Sequence, residues 1–447
     1  MLPAITASKI YSTLGNNNSL VPLAIKDVAN SLGLTTGSYI TGDKLEGKDR
    51  FIDEFGTQAI WLFGIPAYKK LIDLTLYKLL KIDPKFDARN LSQKRAKVLE
   101  KSIQYADKSI SGAMKTASKN PKFTKALTIG KFAVSTLLTI GSYNWLTKYR
   151  HKQTKKSAQK EILAEMQKNE AQKTSALANG AKPTNTPQTH VNSAQKQVSF
   201  KGGVQDFVFN PVKNLMILDG AITGERLANS RNKQEFIGYT IKEGTFWAFM
   251  YFASKPIQKV FEKAVELNSK HPASIDLDAR VIESEALEQA FKNGSLKEST
   301  QKVLNLKTQE ELLDFIHNNP EDFTVKMAKM SDVLPTLKQA TQADNIDYRQ
   351  FIDLDEFKGV AQKLNKLGCK FENFKQTDIA DKSIEIFLKA VKKLKRMAIL
   401  GNIGICIGVL GVIAPALMVA LRKLDKNNQG FQVKEDLKKQ MAFNGKF

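Results

Sequence analysis

Cysteine and histidine are scarce in this chain of 447 residues, which has two cysteines and four histidines. The cysteines, Cys369 and Cys406, lie in unlike surroundings, and the histidines are scattered along the chain. A disulfide framework needs paired cysteines, and a zinc site needs ligands at short, regular spacings. We therefore expect no disulfide scaffold, no metal site and no cofactor.

Recognisable catalytic motifs are also lacking. The sequence contains no GxSxG, no HExxH, no CxxC and no GxxxxGK(S/T). These short patterns are the ones that most directly indicate hydrolytic, metal-dependent, redox or nucleotide chemistry. We therefore predict that the protein is not an enzyme. The first residues also lack the basic-then-apolar layout of a cleavable signal peptide, so membrane insertion would use an internal segment.

Acidic residues are the minority among the charges, with 45 Asp and Glu against 68 Lys and Arg and a formal net charge of +23. Such an excess usually faces nucleic acid or anionic lipid. No nucleic-acid module or aromatic stacking array is recognisable, so we expect no nucleic-acid partner. Lysines beside an apolar run each gain about 1 kcal/mol from anionic lipid, and we expect an anionic bilayer as the partner. The residues predicted to lie at lipid headgroups are Lys148, Arg150, Lys152, Lys155, Lys156, Lys392, Lys393, Lys395, Arg396, Arg422 and Lys423.

One uncharged apolar run, Met397–Leu421, is longer than the roughly 20 residues that a helix needs to cross a bilayer. We predict a membrane-spanning helix there, kinked near Pro415, in a plasma (inner) membrane. A second predicted span, Ala126–Leu146, is interrupted by Lys131. That lysine has no obvious acidic partner in the sequence, and we expect it to snorkel to the interface.

Four glycines within the stronger span alternate three and four residues apart: Gly401, Gly404, Gly408 and Gly411. This spacing places them on one helix face, and small residues there allow another helix to approach closely. We predict a packing face for a homo-oligomer or another helix. The alternative is that glycine is simply more frequent in membrane helices.

The pentapeptide ADKSI occurs twice, at Ala106–Ile110 and at Ala380–Ile384. When the two copies are aligned without gaps, the basic cluster and the ends of the apolar run that follow stay in register. Upstream, both halves carry an ITG(D/E) motif, a GT motif that opens an apolar segment containing tryptophan, and an Asp-Ala-Arg motif, in that order. We interpret the two halves as homologous units.

The Asp-Ala-Arg motifs supply duplicated polar residues, Asp87 and Arg89 in the first unit and Asp278 and Arg280 in the second. Binding of a polar ligand is one hypothesis for them. Helix caps or local ion pairs are the more common role of such residues, and we favour that interpretation.

The predicted fold is all-α, a helical integral membrane protein of two diverged repeat units with a soluble helical insert in the second. The first unit covers 1–148, and the second covers 201–424 with the insert at 281–379. We expect the segment 149–200 to be a basic and then disordered linker, because its second half is poor in apolar residues. A polar tail follows at 425–447.

Two shorter apolar runs, Gly56–Ala67 and Gly244–Ser254, leave the topology open, because each is too short to cross a bilayer unaided. If only the spans cross, the units have opposite orientations, as in inverted-repeat transporters. If the short runs cross as well, each unit is a hairpin and the units are parallel. We predict a membrane-anchored scaffold or interaction protein whose insert has a protein partner that the sequence does not identify. A small transporter or channel built from inverted repeats is the alternative hypothesis.

Overall fold

The computed structural model is all-helical wherever it describes the chain. It describes residues 7–15, 20–41, 44–92, 96–173, 211–230, 233–253, 256–257, 259–261, 263–264, 277–330, 346–375, 383–424 and 433–443. No β-strand forms within these ranges, which confirms the predicted all-α class. The second half of the predicted linker, part of the insert and the first three residues of the second ADKSI copy lie outside the described residues.

The helices are numbered here in chain order. The first half of the chain forms α1 (Ala7–Leu14), α2 (Val21–Thr41), α3 (Lys44–Ile72), α4 (Ala96–Tyr105), α5 (Lys108–Ser118) and α6 (Pro121–Lys173). The second half forms α7 (Pro211–Ala228), α8 (Lys233–Trp247), α9 (Ala279–Ile282), α10 (Glu285–Lys292), α11 (Ser295–Asn305), α12 (Gln309–Asn318), α13 (Phe323–Met330), α14 (Leu354–Lys375), α15 (Ser383–Gly408), α16 (Ala414–Leu424) and α17 (Val433–Phe443). π-helical turns directly follow α3, α8 and α15, at Asp73–Tyr77, Ala248–Phe252 and Val409–Ile413.

The first unit is built on a hairpin of α2 and α3, with the long helix α6 packed along α3. Gly56 of α3 lies against Leu146 of α6, and Asp73, just after α3, forms an ion pair with Lys131. Residue numbers therefore rise along α3 as they fall along α6, so the two helices are antiparallel. The short apolar run Gly56–Ala67 lies within α3, beside the first predicted span.

The second unit repeats this arrangement. Helices α7 and α8 form a hairpin, and α8 lies against α16 and the π-helical turn Val409–Ile413 before it. Gly238 at the start of α8 lies against Met418, whereas the carbonyl of Phe249 after α8 accepts a hydrogen bond from the Cys406 thiol at 3.4 Å. The helix α8 is therefore antiparallel to α15 and α16, as α3 is to α6.

The two units interlock through α2 of the first and the span of the second. A Cβ atom on Gly33 of α2 would lie 2.1 Å from the carbonyl oxygen of Gly411, and Gly37, one turn later, lies against Val419. Numbers rise together along both helices, so α2 and α15–α16 are parallel. Since α2 and α6 are both antiparallel to α3, the two predicted spans run in the same direction.

Proline positions explain where the span helices bend or break. A π-helical turn, Val409–Ile413, comes immediately before Pro415, and the amide of Ala414 donates to the carbonyl of Val409. This wider turn makes room for the proline ring, which lacks an N–H and would clash with the preceding turn of an α-helix. In the first unit Pro121 begins α6 and separates it from α5. The aligned residue of the second unit is Lys395, and α15 continues through it.

The insert packs on both units. Helix α14 and its neighbours share one hydrophobic core with Phe387, Leu388 and Val391 of α15. A second core, around Phe357, includes Val98 of α4 in the first unit. The insert is therefore a docked module whose position is set by contacts with both halves of the chain.

The C-terminal helix α17 returns to the far end of α6. Leu437 packs with Ala158 and Ile162 of α6, and Lys438 forms an ion pair with Glu165 at 2.8 Å. The residues after the second span therefore lie beside the residues after the first.

Candidate functional site

Helix α6 turns its polar residues inward and its apolar residues outward. Ser135 and Thr139 are buried, whereas Val134, Leu137 and Leu138 are exposed, Leu137 to 66%. A helix on the surface of a soluble protein has the opposite pattern. Burial of Ser and Thr with exposure of Leu and Val is typical of a helix whose outer face meets lipid.

The same reversal occurs on α2 and α3. On α2, Asp27 and Asn30 are buried while Leu32 is exposed to 53%. On α3, Glu54 is buried while Phe63 is exposed to 67%. In α15 and α16, and in the π-helical turn between them, the exposed large residues are Met397, Leu400, Ile405, Val412, Ile413, Leu417 and Leu421. We call the outward apolar residues of α2, α3, α6, α15 and α16 the apolar belt.

Ion pairs fill the centre of the bundle formed by α2, α3, α6, α7, α8, α15 and α16. Asp53 of α3 accepts from Arg150 of α6 at 2.9 Å and lies 3.6 Å from Arg226 of α7. Tyr239 of α8 receives a hydrogen bond from Arg150 at 3.3 Å. Arg226 also donates to the hydroxyl of Tyr143 at 2.8 Å. The carboxylate of Asp53 is thus held by two guanidinium groups, one from α6 and one from α7.

Two further buried pairs extend this cluster. Lys242 of α8 donates to Glu54 of α3 at 2.7 Å, and Arg226 donates to Glu243 at 2.6 Å. The hydroxyl of Thr223 also donates a hydrogen bond to the carboxylate of Glu243, at 2.9 Å. Buried charges are costly unless they are paired and hydrogen-bonded, and here the pair Lys242–Glu54 joins the two units while Arg226–Glu243 joins α7 to α8. We call the residues Asp53, Glu54, Arg150, Arg226, Lys242 and Glu243 the ion-pair core.

A cavity adjoins the ion-pair core and encloses a free volume of about 20 Å³. Its lining includes Asp27 of α2, Gln58 of α3 and Asp219 of α7. A volume of this size holds about one water molecule. It has no room for a sugar, an amino acid or a nucleotide.

Lys131 of the first span has an acidic partner that was not foreseen from the sequence. Its ammonium group pairs with Asp73 and lies 4.7 Å from the ring centroid of Tyr77. The expectation of an unpaired, snorkelling lysine was therefore wrong. Asp73 lies 58 positions earlier in the sequence, and only the antiparallel packing of α3 on α6 brings the two together.

The residues predicted at lipid headgroups divide into two groups. Lys148, Lys152, Lys155, Lys156, Lys393 and Lys423 are exposed, as that role requires. Arg150 and Lys395 are buried, with 4% and 6% exposure, so the prediction was wrong for these two. Lys392 and Arg396 face Glu288 and Glu283 at the start of the insert, at 3.9 and 2.7 Å. The Arg422 side chain lies outside the described residues.

The duplicated Asp-Ala-Arg motifs adopt one geometry. In each, the aspartate accepts the backbone N–H of the arginine two residues later, at 2.8 Å for Asp87 and 2.9 Å for Asp278. The same carboxylate also pairs with the side chain of that arginine, Arg89 or Arg280. Each motif is thus a helix cap combined with a local ion pair. No ligand is needed to account for it.

A turn with the same aspartate–arginine pairing lies in the insert, where the sequence had suggested a helix cap at Asp347. Asp347 accepts the backbone N–H of Arg349 at 3.1 Å and its side chain at 2.7 Å. Arg349 also reaches Asp83 of the first unit at 2.9 Å, and its carbonyl accepts the amide of Asp87 at 2.9 Å. This turn therefore joins the insert to the segment after α3.

The insert also contacts α4 through a polar cluster. Lys101 and Tyr105 both donate to the carboxylate of Asp314, Tyr105 at 2.6 Å. These hydrogen bonds, with that of Lys101 the larger cause, hold the pKa of Asp314 below its ordinary value. Tyr105 also stacks on His317, with ring centroids 3.9 Å apart.

The four glycines of the predicted packing face have different surroundings. A Cβ on Gly401 would meet the ring of Phe261 at 2.2 Å, and one on Gly411 would meet the carbonyl of Ala29 at 3.0 Å. Nothing described lies within 4 Å of such an atom at Gly404 or Gly408. Two of the four glycines, Gly401 and Gly411, therefore pack closely against other segments of this chain.

Comparison with protein-family models, curated proteins and solved structures finds no match for this chain. Among the described residues, no group of three or more His, Cys, Asp or Glu side chains is placed to hold a metal ion. Two helices, Pro121–Gln167 and Ser383–Leu421, are long and apolar enough to cross a membrane. Function must therefore be inferred from the apolar belt, the ion-pair core and the docked insert.

Proposed function

We propose that this protein is a non-enzymatic membrane scaffold, in which a bundle with lipid-facing helices holds the insert in a fixed position on the membrane. The apolar belt is the observation that carries the proposal. Side chains such as Leu137 and Phe63 are about two thirds exposed and would each cost about 1–2 kcal/mol to leave in water, whereas lipid covers them without that cost.

We further propose that the bundle consists of two homologous units related by a rotation about the membrane normal. Three features support this. Both units have a hairpin followed by an antiparallel span, both carry the same Asp-Ala-Arg cap, and their spans run parallel. Parallel repeats of this kind are known among membrane proteins.

The scaffold hypothesis is favoured over transport of a solute by the size of the cavity and by the pairing of the charges around it. About 20 Å³ is room for a water molecule but not for a solute. The insert, in contrast, is large and firmly attached, through Arg349 to the first unit and through Arg396 to the second. A rigid connection of this kind suits a protein that presents a surface.

Passage of protons or small ions is the second candidate function, because buried charges at membrane depth are rare and commonly mark an ion path. The parallel spans argue against its inverted-repeat form. Proteoliposomes with a pH-sensitive dye inside separate the two hypotheses. The scaffold predicts the same proton leak as empty liposomes, and a leak that Lys242→Met alters would favour the ion path.

The path of the chain constrains how the bundle enters a bilayer. Helix α6 ends at Lys173, beyond one end of the bundle, whereas α7 points the same way and begins at Pro211, at the other end. If both helices cross, the chain must cross back between these residues. The sequence there has no apolar run of span length, so the return does not use a lipid-exposed helix. A cysteine placed at Lys213 and labelled from the same side as Cys369 would show that return.

Membrane attachment is tested most simply by charging the apolar belt. Leu137→Lys places an ammonium group on the outer face of the first span, which costs about 2.5–3.5 kcal/mol near the middle of a bilayer. We expect this variant to leave the membrane fraction under alkaline carbonate extraction. Leu163→Lys is the matched control, because Leu163 is also exposed on α6 but lies beyond the span. Equal retention of both variants would contradict lipid contact of the belt.

A further inference from the structure

The cavity beside the ion-pair core lies between helices of both units. Asp27 comes from α2, Gln58 from α3, and Asp219 from α7, while Lys242 and Glu243 of α8 close another side. All these side chains are buried, with at most 9% exposure. The cavity is therefore a polar space inside a bundle whose outer surface is apolar.

The charges that line the cavity do not balance. Its four carboxylates are Asp27, Glu54, Asp219 and Glu243, and its two cationic side chains are Arg226 and Lys242. Lys242 pairs with Glu54 at 2.7 Å and Arg226 with Glu243 at 2.6 Å. Within the described residues neither Asp27 nor Asp219 forms an ion pair, and the hydrogen-bond donors beside Asp219 are uncharged, namely the hydroxyl of Tyr251 and the indole of Trp61.

Two uncompensated carboxylates in a buried site are strongly unfavourable if both are ionised. An isolated buried charge is avoided by taking up a proton, by pairing or by binding a metal ion. The cavity offers neither Asp27 nor Asp219 a spare cation. Protonation is the remaining route that needs no added metal ion.

Gln58 provides an independent indication of a ligand. Its amide nitrogen is buried and has no hydrogen-bond partner, and the residue lines the cavity with only 7% exposure. An unpaired buried donor costs about 1–3 kcal/mol. The free volume beside it has room for about one water molecule, whose oxygen is a suitable acceptor for that amide N–H.

We propose that this cavity is a proton-binding site, in which Asp27 and Asp219 hold exchangeable protons around one water molecule bound to the amide of Gln58. The site binds a proton in place of a metal cation, because the unpaired amide N–H of Gln58 donates and needs an acceptor. The groups that face the two aspartates are Glu54 from α3, Arg226 from α7, Lys242 and Glu243 from α8, and Tyr251 after α8.

The proposal goes beyond the scaffold function and does not depend on how many helices cross the membrane. Proton binding alone fits a scaffold, since the site can change charge with pH without conducting. Failure of membrane attachment would therefore leave the proton site intact, and loss of the proton site would leave the apolar belt in place.

Infrared difference spectroscopy on the full chain in detergent micelles tests the site. Protonated carboxyl groups are detected by their C=O stretch, and the pH is stepped across the neutral range. We expect the wild-type protein to show this band at neutral pH, shifted in D₂O and lost as the pH rises. Asp27→Asn and Asp219→Asn should each remove a part of it. Asp355→Asn, at an exposed aspartate of α14, is the matched control and should remove none.

Stability provides the second measurement, which remains informative if a spectrum is weak. Asparagine keeps the shape of aspartate and removes an uncompensated charge, so at alkaline pH we expect Asp27→Asn and Asp219→Asn to unfold at the same or a higher temperature than wild type. Absence of a protonated carboxyl band at neutral pH would overturn the proposal. A band abolished by added Na⁺ or K⁺ at constant pH would overturn it in favour of a cation site, as would a marked loss of stability in both variants at alkaline pH in favour of a structural ion pair.

Discussion

The ion pair between Glu54 and Lys242 should be one of the strongest couplings between the two units. Its atoms are 2.7 Å apart, and the two side chains are only 3% and 2% exposed. Removing one partner of such a pair leaves an uncompensated buried charge and typically costs 3–5 kcal/mol. Arg50 lies 3.5 Å from Glu54 and still partly neutralises it when Lys242 is replaced. We therefore expect Lys242→Met to cost about 3 kcal/mol, at the lower end of that range.

A double-mutant cycle tests whether this cost comes from the pair. We expect Glu54→Gln combined with Lys242→Met to cost less than the sum of the single changes, by about 1–3 kcal/mol, because the double variant leaves no charge unpaired. Chemical unfolding of the purified protein in micelles measures the free energies. The matched control is the exposed pair Glu288–Lys292, where Lys292→Met should cost no more than about 0.5 kcal/mol. Strictly additive effects at Glu54 and Lys242 would refute the coupling.

Other predictions concern the packing of helices and the docking of the insert. Gly33→Ala puts a methyl group 2.1 Å from a backbone carbonyl and should cost at least about 1–3 kcal/mol in unfolding experiments, whereas Gly37→Ala, with its nearest atom at 3.5 Å, should be tolerated. Arg349→Gln should make the insert more accessible to protease, because it removes the contact with the first unit. The lowered pKa of Asp314 predicts docking that is fully stable above about pH 4 and weakens as the pH falls further. Asp314→Asn should abolish that pH dependence of the melting temperature, and an unchanged profile would contradict it.

The apolar stretches of the sequence predicted the helical class because a long uncharged run can hardly form anything else in lipid. The role of the Asp-Ala-Arg motif could be predicted as well, since an aspartate two residues before an arginine can cap a helix and form an ion pair with that arginine. Both features depend on neighbours in sequence, and no contact between distant segments is needed to recognise them.

The ion-pair core could not be predicted from the sequence in this way. No local pattern marks Asp53, Glu54, Arg226 or Lys242, because the contacts of Arg226 with Asp53 and of Lys242 with Glu54 join residues more than 150 positions apart. One signal did exist, since Glu54 and Glu243 each precede the duplicated GT motif, which served only to align the units. The orientation of the units was hidden for the same reason, because it depends on the contact of Gly33 with Gly411.

The parallel direction of the two spans is the central claim, and labelling of single cysteines by a membrane-impermeant reagent tests it directly. The native Cys369 is exposed and reports the side of the insert. In a Cys369→Ser, Cys406→Ser background, cysteines at Lys160, after the first span, and at Lys439, after the second, report the other ends. Parallel spans predict that the cysteines of Lys160→Cys and Lys439→Cys are labelled from one face of sealed vesicles. They predict that Cys369 is labelled from the opposite face. Labelling of the cysteines at 160 and 439 from opposite faces would contradict the account, as would labelling of these two and Cys369 from the same face.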